Sequence, residues 1–194
     1  HGGKNGLHVK DFNYSIQENK DYLDIVFTYF SPDLDGGYLY SCDITITYRV
    51  YQIVNMIDII YDATSDTINF LNLTNHTYFN LSGNLRKNIL SDKLYINASK
   101  IGFLSDNLII QKKIDVDEVM DFRKPKEIGK YINNEILQKK TKGYDHQYFL
   151  DEVGIDKLAA KLEGEAVNLE VYTTYPCIVF YSGNHPLDSE VYKG

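Results

Sequence analysis

The chain reads as an all-β protein, a large antiparallel β-sandwich, and three observations predict it. Apolar residues recur with period two over many short runs, and clusters of turn residues separate those runs. Helical and strand patterns do not alternate, as a parallel α/β sheet would require. The 194 residues suffice for one domain with its own core. Residues 1–194 are therefore read as a single sandwich domain.

Each element has its own warrant. In 21–30, Leu23, Ile25, Phe27 and Tyr29 share one face. In 42–51, Ile44, Ile46, Tyr48 and Val50 alternate with Asp43, Thr45, Thr47 and Arg49, the pattern of a half-buried antiparallel strand. Further strands are predicted over 53–63, 67–74, 93–97, 144–150, 166–174 and 178–181. Ser31-Pro32-Asp33, Asp35-Gly36-Gly37 and Ser82-Gly83-Asn84 supply turn chemistry between runs. Residues 109–119 read as a loop with some strand character. Helical spacing is confined to 125–137, where Pro125 suits a first turn and Gly129 weakens the pattern.

Composition narrows the function classes. A formal charge of −7 argues against a nucleic-acid or anionic-membrane partner, since both call for clustered Lys and Arg. No apolar run approaches the roughly 18 residues of a membrane-spanning helix. Seventeen Tyr and nine Phe suit strands and sugar-facing surfaces alike. Cys42 and Cys177 suggest neither a disulfide framework nor a zinc site, so reduced thiols and a cytoplasmic setting are expected. Both ends look cut, and the sequence reads as an excerpt of a longer protein, incomplete at both ends.

The segment 72–83, Asn-Leu-Thr-Asn-His-Thr-Tyr-Phe-Asn-Leu-Ser-Gly, carries the sharpest chemistry. Ile68, Phe70, Asn72, Thr74 and His76 fall on one face of the predicted strand, which turns from apolar to polar toward the imidazole. His76 is thereby predicted to leave a core and reach a cleft. Tyr144-Asp145-His146 is the second concentration, and adjacency on a strand sends its carboxylate and imidazole to opposite faces. The histidines lack metal-ligand spacing, and Gly2-Gly3-Lys4-Asn5-Gly6 lacks the strand and helix of a phosphate loop. No metal or other cofactor is expected.

These segments, in this order, resemble the aldose 1-epimerase (galactose mutarotase) family. His1-Gly2-Gly3 resembles its His-Gly-Gly turn, 72–83 its histidine signature, and Gly143-Tyr144-Asp145-His146 its aspartate segment. Thr173-Thr174-Tyr175-Pro176 and Tyr181-Ser182-Gly183-Asn184 resemble its late strand pair. Asp121-Phe122-Arg123 with Ile128-Gly129 matches a further, structural segment. The resemblance implies a galactose mutarotase-like supersandwich that interconverts the α and β anomers of free aldohexoses by acid–base ring opening. It implies His76 as general acid, His1 as the residue orienting the sugar, and Asp145 facing the cleft to hold its hydroxyls. Thr77 and Tyr78 are further contacts. Two departures stand out: Val179 occupies a position where many relatives carry a sugar-binding Gln, and the general-base Glu of the family would lie beyond Gly194. With no general base in this chain, it is expected to be inactive alone. The alternatives are a non-catalytic carbohydrate-binding module on the same sandwich and a hexose-6-phosphate 1-epimerase, for which only Arg86 and Lys87 stand near His76. Oligomeric state and preferred sugar are not specified by the sequence.

Overall fold

A computed structural model describes residues 3–83 and 87–184. The fold is nearly all β, with three antiparallel four-stranded sheets. It divides into two compact units, His1–Thr77 and Tyr78–Gly194.

The first unit is a meander of β1 (Asn13–Glu18), β2 (Tyr22–Ser31), β3 (Cys42–Tyr51) and β4 (Ile57–Thr64), each hydrogen-bonded to the next. Alternation divides the start of β3 as expected, while Val50 at its far end is exposed. Cys42 and Ile44 are buried with Leu73, and Leu7, Phe12, Ile46, Tyr61 and Ala63 pack against them. On the other face Arg49 grips buried Asp24 through two hydrogen bonds of 2.8 Å and lies 3.9 Å from the Tyr22 ring centre. That bidentate contact holds the Asp24 carboxyl below the usual carboxylate range. The loop after β2 is pinned by Asp35, which accepts from Lys10 Nζ and, at 2.7 Å, from the Tyr29 hydroxyl.

One expectation fails in this unit. Residues 67–74 form no strand, and the face predicted to enter a core does not: Ile68 is 98% and Phe70 90% exposed. Leu73, of opposite parity, is the residue that buries. Alternation makes a strand possible, but a strand persists only with a ladder partner, and among the described residues this segment has none.

The second unit contains β5 (Lys93–Ile96), β6 (Lys100–Leu104), β7 (Ile110–Asp115), β8 (Lys126–Glu127), α1 (Glu135–Lys140), β9 (Asp145–Phe149), β10 (Gly154–Glu163), β11 (Asn168–Thr173) and β12 (Cys177–Tyr181). One sheet runs β11-β10-β5-β8 and the other β12-β9-β6-β7. Their shared core takes Leu94, Ile96 and Ala160 from the first sheet and Ile101 and Tyr148 from the second. Phe122 sits at its centre, with ring centroids 5.2 Å from Tyr144, 5.6 Å from Phe180 and 6.2 Å from Tyr148. This is a sandwich in the ordinary sense, two sheets closing on one apolar layer.

The helix predicted over 125–137 is displaced. Lys126 and Glu127 pair with β5 instead, and Ile128–Tyr131 forms a 3-10 turn. There a Cβ on Gly129 would approach the Leu90 carbonyl oxygen to 2.9 Å, so the glycine serves a close backbone approach. The α-helix starts later because Asn134 caps it, its side chain accepting from the Ile136 N–H at 2.9 Å. Strands β6 and β10 stand where no element is predicted, and β7 falls in the stretch read as a loop with some strand character.

Candidate functional site

His76 lies on the loop that closes the first unit. Asn75 fixes that loop twice. Its Nδ2 donates to the Tyr48 hydroxyl at 2.7 Å, tying the loop to β3, and its Oδ1 accepts from the Thr77 N–H at 2.9 Å. The second bond closes an Asx-turn with His76 as its middle residue, so the backbone bends locally and the imidazole stands on the exposed side. The clustering of Asn75, His76 and Thr77 thus has a conformational reason, a turn in place of the predicted strand end. His1 and Arg86 lie outside the described residues.

Asp145 opens β9 in the second unit. The core decides its facing: Tyr144 and Tyr148 are fully buried, so alternation turns Asp145, Gln147 and Phe149 to the opposite side of the sheet. His146 shares the core-facing side. Its Nδ1 accepts from the Asp145 N–H at 3.1 Å, and burial holds the imidazole below its usual range. A neutral, packed His146 and an outward Asp145 are the division that adjacency on a strand predicts.

The strand is set in place by two of the motif segments acting together. The Tyr144 N–H donates to Ser182 Oγ at 3.0 Å, the Ser182 N–H returns to the Tyr144 carbonyl at 3.1 Å, and Asn184 Nδ2 donates to the same carbonyl at 2.7 Å. Gly143, at φ +151°, leaves room for the Asn184 amide; a Cβ there would stand 2.0 Å from Asn184 Oδ1. These bonds bring the start of β9 beside the end of β12.

The antiparallel register then sets out one face of the sheet. Tyr181 stands opposite Asp145, Val179 opposite Gln147 and Cys177 opposite Phe149. Tyr78 adds its ring to this face, 5.8 Å from that of Tyr181. Within the second unit the structure therefore gathers a carboxylate, an amide and two tyrosine rings. Sequence reasoning had Asp145 and Tyr78 but missed Gln147 and Tyr181; counting two residues on from Asp145 would have found Gln147. Among the described residues, no three His, Cys, Asp or Glu side chains gather as metal ligands, and no helix is long and apolar enough to cross a membrane.

A β-sandwich with a polar and aromatic sheet face is the class of protein that fold and site define. Within it, residues 1–193 match the family model for aldose 1-epimerase, and the chain belongs to that family. It is 34% identical over 193 residues to an aldose 1-epimerase of Escherichia coli (strain K12), covering 95% of this chain and 53% of that protein. To a galactose mutarotase of Rattus norvegicus it is 31% identical over 191 residues, covering 95% of this chain and 52% of the other. The crystal structure of a galactose 1-epimerase from Lactobacillus acidophilus NCFM superposes with a TM-score of 0.82 at 26% identity, over 95% of this chain and 54% of that one. The chain spans about half the length of the curated relatives it matches.

Proposed function

We propose that the protein of which this chain forms part is an aldose 1-epimerase, interconverting the α and β anomers of free hexoses such as glucose and galactose. The reaction transfers a proton to the ring oxygen as the C1–O5 bond breaks, while a base takes the proton of the C1 hydroxyl. The open aldehyde rotates about C1–C2, and the reverse transfers close the ring on its other face. One acid and one base suffice.

His76 is the acid in this reading. An imidazole exchanges its proton near neutrality, since its ordinary pKa is about 6.5. Asp145 accepts bonds from ring hydroxyls, and Thr77 and Tyr78 add minor contacts. His1 orients the sugar. The base is a glutamate that the family resemblance puts beyond residue 194. The two thiols, Cys42 and Cys177, are both free, which suits a reducing compartment such as the cytoplasm.

The observation that carries the reading is the seating of His76 in an Asn75-closed turn anchored to Tyr48, a fixed mount for an exposed imidazole within the signature segment. Polarimetry on freshly dissolved α-anomer tests it. The full-length protein is expected to speed the decay of rotation, and His76→Ala to lower that rate by roughly 10²–10⁴-fold, the usual contribution of a positioned acid. A His76→Ala variant that matches the parent rate removes His76 from the mechanism.

A further inference from the structure

The face of the second sheet carries an amide, that of Gln147, which the proposed function leaves unused. Gln147 lies two residues after Asp145 on β9, and alternation puts both on the side away from the Tyr144–Tyr148 core. Two strand residues separate them by about 6.8 Å along the backbone, a span that flexible side chains close onto the hydroxyls of one pyranose.

The surroundings of Gln147 fit a ligand better than they fit the protein. Across the ladder stands Val179, 65% exposed, which offers no hydrogen bond and covers little of the amide. Gln147 Nε2 donates to Cys177 Sγ, a weak acceptor. Among the described residues its Oε1 has no donor. A half-buried amide with an open carbonyl, beside a carboxylate and the Tyr181 ring, is a built acceptor and donor for vicinal hydroxyls.

We propose that Gln147 is a specificity-determining contact of the sugar site, bonding a ring hydroxyl next to the one held by Asp145. The inference rests on the epimerase reading and names a further substrate contact within it. The amide takes no proton from the sugar, so it adds binding and orientation, not acid–base chemistry.

The test uses the full-length protein with Gln147→Leu, which keeps the volume and removes the amide, and with Gln147→Ala as a second variant in case the first misfolds. Mutarotation is followed for D-galactose, D-glucose and their 2-, 3-, 4- and 6-deoxy derivatives, with calorimetry of the same sugars. Both variants are expected to lower kcat/KM for the parent hexoses by about three- to tenfold, the worth of one neutral hydrogen bond. For one deoxy sugar the loss disappears, because the hydroxyl that Gln147 would bond is already missing. An equal loss for every sugar, or no loss, overturns the proposal while leaving the epimerase reading intact. Sugar binding without turnover in the parent overturns the epimerase reading, and the deoxy pattern in calorimetry then decides Gln147 by the same criterion. A parent with neither turnover nor binding overturns both.

Discussion

Replacing Gly143 with Ala should unfasten β9 from the end of β12, and the structure allows the size of that effect to be worked out. The new Cβ would stand 2.0 Å from Asn184 Oδ1 and 2.5 Å from its Cγ. The amide must swing away and give up its bond to the Tyr144 carbonyl and its contact with Ser182 Oγ. Net losses of about 0.5–1.5 kcal/mol per bond add to roughly 1–3 kcal/mol for an L residue held at φ +151°. The sum is about 2–6 kcal/mol, or a fall of roughly 4–24 °C in Tm for a chain of this length. Urea denaturation of the single variants and their double mutant is the assay. Asn184→Ala alone should cost only its bonds. In combination the clash is gone and only the backbone cost of Gly143→Ala remains, so the double variant should fall short of the sum by about 1 kcal/mol or more. Strict additivity, or a Gly143→Ala variant as stable as the parent, would refute the claim that this glycine makes room for Asn184.

Three further outcomes follow from the same structure. Phe122→Ala removes the ring that Tyr144, Tyr148 and Phe180 surround and should cost about 3–5 kcal/mol, measured by urea midpoint; a cost below 1 kcal/mol would show that the core closes without it. His146 binds its proton less readily folded than unfolded, so stability should fall as pH drops below the ordinary imidazole value of about 6.5 toward its folded value, with a slope of up to about 1.4 kcal/mol per pH unit. His146→Gln should lose that part of the slope, and an unchanged pH profile would contradict a buried neutral imidazole. Asp24 follows the same sign of proton linkage in a more acidic window: its carboxyl is held below the usual range by Arg49, so its contribution is present above the ordinary carboxylate range and lost on acidification. Arg49→Met should therefore weaken the chain at neutral pH and flatten its acid limb, as followed by thermal melts from pH 3 to 7.

How far the sequence could be read depended on whether local pattern or distant pairing decided each element. The bounds 42–51 matched β3, because a central strand has a ladder partner on each side, β2 and β4, and its apolar face enters the core at Cys42 and Ile44. The same alternation over 67–74 misled, since nothing local says whether a ladder partner exists. β6 went unread for the opposite reason. Its Gly102 packs so closely on Ile110 that a Cβ would come within 2.9 Å, and a glycine at such a position erases the apolar signal that would mark the strand. At the candidate site, the order of motifs gave Asp145, but only packing explains which way it points. Tyrosine suits either a core or a surface, so Tyr144 and Tyr148 carried no facing information until both proved buried. Once they do, period two leaves no freedom: Asp145 and Gln147 must share the outward face, with Tyr181 and Val179 opposite them. Two interior rings thus choose which polar side chains of β9 face outward, and, in the proposed epimerase, disturbing them should alter sugar handling before any polar residue is touched.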